Sequence, residues 1–232
     1  MAKEGAKDGP MKQILFVIAG ISLIIGGIAR ADVSDKNALL IKAAETGSLA
    51  DVNAALTDGA DINAKDANGV TALYMASQNG HADIVSLILK MGADVDIKKT
   101  ANGITALWVA CRNGFADVVK LLIERGADVN VKDNTYGVTA LYITSQNGHA
   151  DVVRLLLEKG ADVNVMEIDG TTALWIASQQ GHAEVVKLLI EKGAEVNIKA
   201  TINNFELTAL NVAKMGRHTE IVKILESAGA KE

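Results

Sequence analysis

Along most of the chain the apolar positions recur in one fixed phrase. A threonine is followed by Ala-Leu, a short apolar stretch and a glycine. A second apolar stretch of the form Val-Val-x-Leu-Leu, or a near variant, comes next, then Gly-Ala-Asp-Val-Asn or a near variant, and a polar segment leads back to the next threonine. The triplets begin at Thr71, Thr105, Thr139, Thr172 and Thr208, at intervals of 34, 34, 33 and 36 residues. Ala38-Leu39 lies 34 positions before Ala72-Leu73 and opens a degenerate first unit. A constant period of this length signals a repeat architecture and overrides any domain count based on length.

One unit shows which elements the pattern predicts. Thr139 is a good N-cap, because its hydroxyl can accept from an unpaired N–H of the first turn. Ala140 to Asn147 then forms a helix of about two turns, stopped by Gly148, which takes the left-handed conformation cheaply. A second helix runs from about Ala150 to Lys159, with Val152, Val153, Leu155, Leu156 and Leu157 as a broad apolar stripe. Asp151 in its first turn and Lys159 in its last complement the helix dipole. Gly160 ends it, and Ala161 to Asn164 leads into an extended turn. Two such short helices leave apolar flanks on both sides, so neighbours must stack into one continuous core.

These recurrent motifs resemble the ankyrin repeat family over residues 35–230. The resemblance implies an all-α solenoid of stacked antiparallel helix pairs, with β-hairpin-like loops projecting at right angles. It further implies a concave face built from loop tips and first helices. Two features depart from the family pattern. Its usual proline after the threonine is alanine in all five units, and its usual histidine two residues further on is Tyr74, Trp108, Tyr142, Trp175 and Asn211. Losing proline at the first helical position gives up some rigidity, while an aromatic there should pack unit on unit. The end units should be polar outside. Lys42, Glu45, Thr46, Asn53 and Thr57 in the first, and Asn211, Lys214, Arg217 and Glu226 in the last, fit that expectation.

The beginning of the chain follows different rules. Met11-Lys12-Gln13 is a short basic start, residues 14–28 are apolar, and Ala29-Arg30-Ala31 is a small-x-small triplet. That order reads as a secretory signal peptide cut after Ala31, with Met11 as a possible start. The apolar run is shorter than the roughly 20 residues a spanning helix wants. The expected organisation is a signal peptide over 1–31, an N-terminal capping repeat over 32–68, four internal repeats over 69–202 and a C-terminal capping repeat over 203–232. The expected location is periplasmic or secreted.

Charge and chemistry narrow the function classes. The chain has 23 basic and 28 acidic residues. Without residues 1–31 it keeps 19 and 26, a net charge of −7. This gives no electrostatic footprint for nucleic acid. Cys111 is the one cysteine and stands where Ser77, Ser145 and Ser178 stand, so it reads as a small packing residue. His81, His149, His182 and His218 occupy one repeat position, with Phe115 in their place in one unit. Successive units stand about 10 Å apart, too far for ligands that must all lie near 2 Å from one metal. No phosphate loop or Ser/His/Asp grouping occurs, and Lys120–Glu124, Arg154–Glu158 and Lys187–Glu191 read as i,i+4 pairs on a solvated face. The expectation is a non-catalytic monomer with no cofactor, no metal and no membrane contact after signal cleavage.

The resemblance implies that a protein partner binds at the loop tips and on the exposed side of the first helices, where the units also vary, as either selective recognition or neutral drift in exposed loops would leave them. On the first helices the variable strip is Gln78-Asn79, Arg112-Asn113, Gln146-Asn147 and Gln179-Gln180. At the tips it includes Lys65, Asp66 and Asn68; Lys98, Lys99 and Asn102; Lys132, Asn134 and Tyr136; Met166, Glu167, Ile168 and Asp169; and Phe205 in the longer last loop. The residues chosen as candidate contacts are Lys65, Asn68, Gln78, Asn79, Lys98, Lys99, Asn102, Arg112, Asn113, Lys132, Tyr136, Gln146, Asn147, Ile168, Asp169, Gln179, Gln180 and Phe205, because arginine and exposed apolar or aromatic side chains favour binding hot spots. The roles in view are a periplasmic adaptor, a secreted effector acting on host proteins, and an inhibitor or accessory protein of an exported enzyme such as a haem enzyme.

Overall fold

The computed structural model describes residues 35–231; the signal peptide expected over 1–31 lies outside them. Twelve helices among these residues form six antiparallel pairs. They are α1 (35–46) with α2 (Leu49–Thr57), α3 (Ala72–Gln78) with α4 (Ala82–Lys90), and α5 (Ala106–Asn113) with α6 (Ala116–Glu124). Then come α7 (Ala140–Asn147) with α8 (Ala150–Glu158), α9 (Ala173–Gln180) with α10 (Ala183–Glu191), and α11 (Ala209–Met215) with α12 (Thr219–Ser227). The first helices α3, α5, α7, α9 and α11 stack in one layer, and the second helices in another. No helix among the described residues is long and apolar enough to cross a membrane.

Local chemistry sets the first helices as the repeat pattern predicts. The hydroxyls of Thr71, Thr105, Thr139, Thr172 and Thr208 each accept the backbone N–H three residues on. Each such cap stabilises a helix start by about 1 kcal/mol. The last unit, which has Asn211 in place of an aromatic, completes a capping box, because the Asn211 side chain accepts the Thr208 N–H in return. Between the layers Leu107, Leu122, Leu141, Leu156, Leu174 and Leu189 are fully buried, so one unit's stripe is completed by the next.

A ladder absent from the sequence reading also ties the units together. The side-chain oxygens of Asn63, Asp96, Asn130, Asn164 and Asn197 accept backbone N–H groups of Asp94, Asp128, Asp162, Glu195 and Lys231 in the following unit, at 2.8 to 3.2 Å. Two ion pairs also join units. Arg154 meets Glu184 at 3.5 Å and Lys187 meets Glu220 at 2.8 Å. The basic residue precedes the acid in each expected i,i+4 pair, the weaker orientation on a helix, and for Arg154 and Lys187 a carboxylate in the next unit's first turn wins.

The loops project as expected, but strand pairing is sparse. Only β1 (Ala200–Ile202) and β2 (Phe205–Leu207) form a two-stranded antiparallel sheet among the described residues. Asn203 and Asn204, both at positive φ, make its two-residue turn, the conformation such hairpins favour. Lys132 and Thr139 form an isolated bridge, and each of the other tips shares one N–H to carbonyl bond, from Asp66 to Val70, Lys99 to Ile104, Asp133 to Val138 and Glu167 to Thr171. That bond makes Asp66, Lys99, Asp133 and Glu167 equivalent positions.

Candidate functional site

The sequence-chosen residues divide by what the stack does with them. Asn113 and Asn147 donate their side-chain amides to the carbonyls of Gln78 and Arg112, both at 2.8 Å, so these two amides bridge units. Asn79 caps its own helix by donating to the Met75 carbonyl. Lys99 places its ammonium 5.6 Å from the centre of the Tyr74 ring, and Arg112 its guanidinium 5.7 Å from that of Trp108. The carbonyl of Asn102 accepts the Asn134 N–H of the next tip. Lys65 and Asn68 share the first tip, Lys98 lies on the second, Gln179 and Gln180 end α9, and Phe205 stands exposed on β2.

Four of the chosen residues meet in one place. Tyr136, Gln146, Ile168 and Asp169 line a cleft of about 590 Å³ between the third and fourth tips, with Trp108, Asp133, Val138, Tyr142, Ile143, Glu167 and Thr171 completing its wall. Tyr136 and Ile168 are 65% and 78% exposed at its mouth, and Lys132 is exposed on the same third tip. The Ile168 N–H donates to the Tyr136 carbonyl at 3.3 Å and joins the two tips. Behind them the indole of Trp108 donates to the Val138 carbonyl at 3.2 Å, and Trp175 repeats that bond to Leu207 at 3.1 Å. The two tryptophans thus each hold the loop that follows their own unit.

Glu167 is the unusual member of this wall. It is only 8% exposed, and neither carboxylate oxygen has a hydrogen-bond partner. Its equivalents work differently. One Asp66 oxygen accepts the Asn68 and Val70 N–H groups, and one Asp133 oxygen accepts those of Thr135, Tyr136 and Gly137. In the fourth loop that task falls to Asp169, which accepts the Thr171 N–H and hydroxyl. Glutamate is one carbon longer than aspartate, and the Glu167 carboxylate lies instead against Gly137 of the neighbouring tip.

Burial pushes the Glu167 carboxyl up to about 8; the Lys132 charge and the nearby Thr139 N–H pull against this, and Asp133 and Asp169 add to it. The Thr139 N–H favours the ionised form without closing a hydrogen bond of good geometry. Tyr142 is also raised, chiefly by burial, although the Thr171 hydroxyl at 3.3 Å opposes the shift. Sequence reasoning placed Glu167 among the tip residues but not among the contacts. The available signal was its position, where two other loops carry aspartate.

Groups that could suggest chemistry elsewhere have structural employment. The Nε2 atoms of His81, His149, His182 and His218 lie 3.0 to 3.2 Å from the carbonyls of Glu45, Arg112, Gln146 and Gln179, each in the preceding unit. Cys111 is fully buried, and burial pushes its thiol up to about 12.

A stack of capped helix pairs with projecting tips and a lined cleft is a repeat scaffold for protein–protein interaction. The family model for ankyrin repeats, in three copies, matches residues 39–133 and 132–200, and the chain belongs to that family. Over 64 residues, 28% of the chain, it is 39% identical to the mitochondrial disaggregase of Homo sapiens and 38% identical to that of Bos taurus. It is 43% identical over 74 residues, 32% of the chain, to the 2-5A-dependent ribonuclease of Mus musculus. The matched segments make up 9 to 10% of those proteins.

Proposed function

We propose that this chain is a non-catalytic adaptor of the bacterial periplasm that holds one partner protein through its concave face and loop tips. The observation that carries the reading is the cleft between the third and fourth tips. There exposed apolar side chains, amide and carboxylate groups converge on one opening. Elsewhere the repeated positions are spent on the stack. The histidines bond neighbouring carbonyls and the lone thiol is buried, which supports a binding role over catalysis. The basic start, the apolar run over 14–28 and the Ala29-Arg30-Ala31 triplet support export.

The test is affinity capture of the processed protein from a periplasmic extract, with mass identification of what it retains and sequencing of its amino terminus. One partner at fixed stoichiometry, on a chain starting at Asp32, is the expected result. Mature protein found only in culture medium would point to the secreted effector. Loss of a captured enzyme's activity on binding would point to the inhibitor reading. An unprocessed, cytoplasmic chain would overturn the export step.

A further inference from the structure

The cleft carries more than a location. Its back wall is aromatic, from Trp108 and Tyr142. Asp133, Glu167 and Asp169 add three carboxyl groups, and none of the three forms an ion pair among the described residues. The buried Glu167 leaves both oxygens unpartnered beside this wall. The stack itself shows what suits such a place. Lys99 covers Tyr74 and Arg112 covers Trp108, whereas the repeat position of Arg112 is Gln146 in the next unit, beside Tyr142.

We propose that the cleft between the third and fourth loop tips receives an arginine side chain from an exposed segment of the partner protein, with its guanidinium against Tyr142 and forked onto the Glu167 carboxylate. This rests on the reading of the tips as a partner-binding face. A carboxylate with both oxygens free matches the paired N–H groups of a guanidinium, and an aromatic wall suits its flat face. Tyr136 and Ile168, exposed at the mouth, flank its path. Because the Glu167 carboxyl is raised to about 8, it holds its proton in the empty cleft at neutral pH. Binding then leaves guanidinium paired with carboxylate and gives one proton to the buffer. The other groups facing Glu167 are Lys132, Asp133 and Tyr136 on the third tip, Tyr142 on α7 and Asp169 on its own loop.

The test uses acetylated, amidated Gly-Arg-Gly and its lysine and citrulline counterparts, followed through the indole N–H signal of Trp108 in nuclear magnetic resonance. Trp175, the second of the two tryptophans, reports the integrity of the stack. The arginine peptide should shift Trp108 and not Trp175, and should bind about tenfold tighter for each pH unit gained below 8. Citrulline and Glu167→Gln should each weaken it about tenfold or more and remove the pH dependence. Gln146→Arg should abolish binding with Trp175 unmoved, because it supplies the chain's own cation as Arg112 does one unit earlier.

Equal binding of citrulline or lysine, or undiminished binding to Glu167→Gln, would overturn the assignment. So would a Trp108 signal that no peptide moves. A captured partner indifferent to Glu167→Gln would leave the adaptor reading standing and remove the arginine from it.

Discussion

The His182 ring lies so close over Gly148 that a β-carbon on that glycine would stand 2.5 Å from its Nδ1, and its Nε2 is 3.0 Å from the Gln146 carbonyl. A carbonyl only accepts, so Nε2 carries the proton. The helix stop of one unit and the second-helix start of the next are thus a single contact. His149 over Gly114 and Phe115 over Gly80 repeat it.

This contact separates two costs that are usually merged. Gly148 and Gly160 both have positive φ, 76° and 85°, but nothing lies within 4 Å of a β-carbon at Gly160. Gly160→Ala should cost about 1 kcal/mol from conformation alone. Gly148→Ala adds the collision with His182 and should cost about 3 kcal/mol. Urea unfolding of the two variants measures the difference, and equal midpoints would contradict the contact.

The ring itself can be tested from the other side. Phe115 fills the histidine position one unit earlier without a polar atom, so shape carries part of the contact. His182→Phe should cost under about 1 kcal/mol, through the lost bond to Gln146. His182→Ala also opens a void over Gly148 and should cost about 2 kcal/mol. Thermal melts of both variants decide whether fill or hydrogen bond dominates.

Glu167 gives stability a pH dependence of unusual sign. Its carboxyl is raised from the usual 4.5 to about 8 in the folded chain. The folded state therefore holds the proton more tightly than the unfolded one. The stability this gives is full below about 4.5 and is lost as pH rises through about 8. The loss should be about 3 kcal/mol, less than the full linkage because an exposed tip can admit water. Unfolding by urea from pH 4.5 to 8.5 should show wild type falling relative to Glu167→Gln. Parallel curves would contradict a buried carboxyl.

Cys111 is a probe of opening. Fully buried, with its thiol pushed up to about 12, it offers almost no thiolate to a disulfide reagent at neutral pH. Labelling should follow the rate at which the stack unfolds and rise with urea as the global transition does. Fast labelling in native buffer would show that units around α5 open separately.

The repeat, the two helices of each unit and their ends were legible in the residues alone. These follow from interactions within a few residues: a threonine hydroxyl meeting the third amide, a glycine turning left, an apolar stripe at helical spacing. Ala140–Asn147 was legible to the residue for that reason. The sequence also marked the tips as the place where units differ, and four of the chosen residues do line one cleft. The contacts that needed the stack join residues about 30 positions apart. The Asn130 and Asn164 ladder, the ion pairs of Arg154 and Lys187 with the next unit, and the histidine-to-carbonyl bonds each join atoms whose separation is set by stacking. Glu167 is the sharpest instance. Its letter reads as an ordinary loop carboxylate, and only the neighbouring tip folding over it removes water and leaves both oxygens without partners.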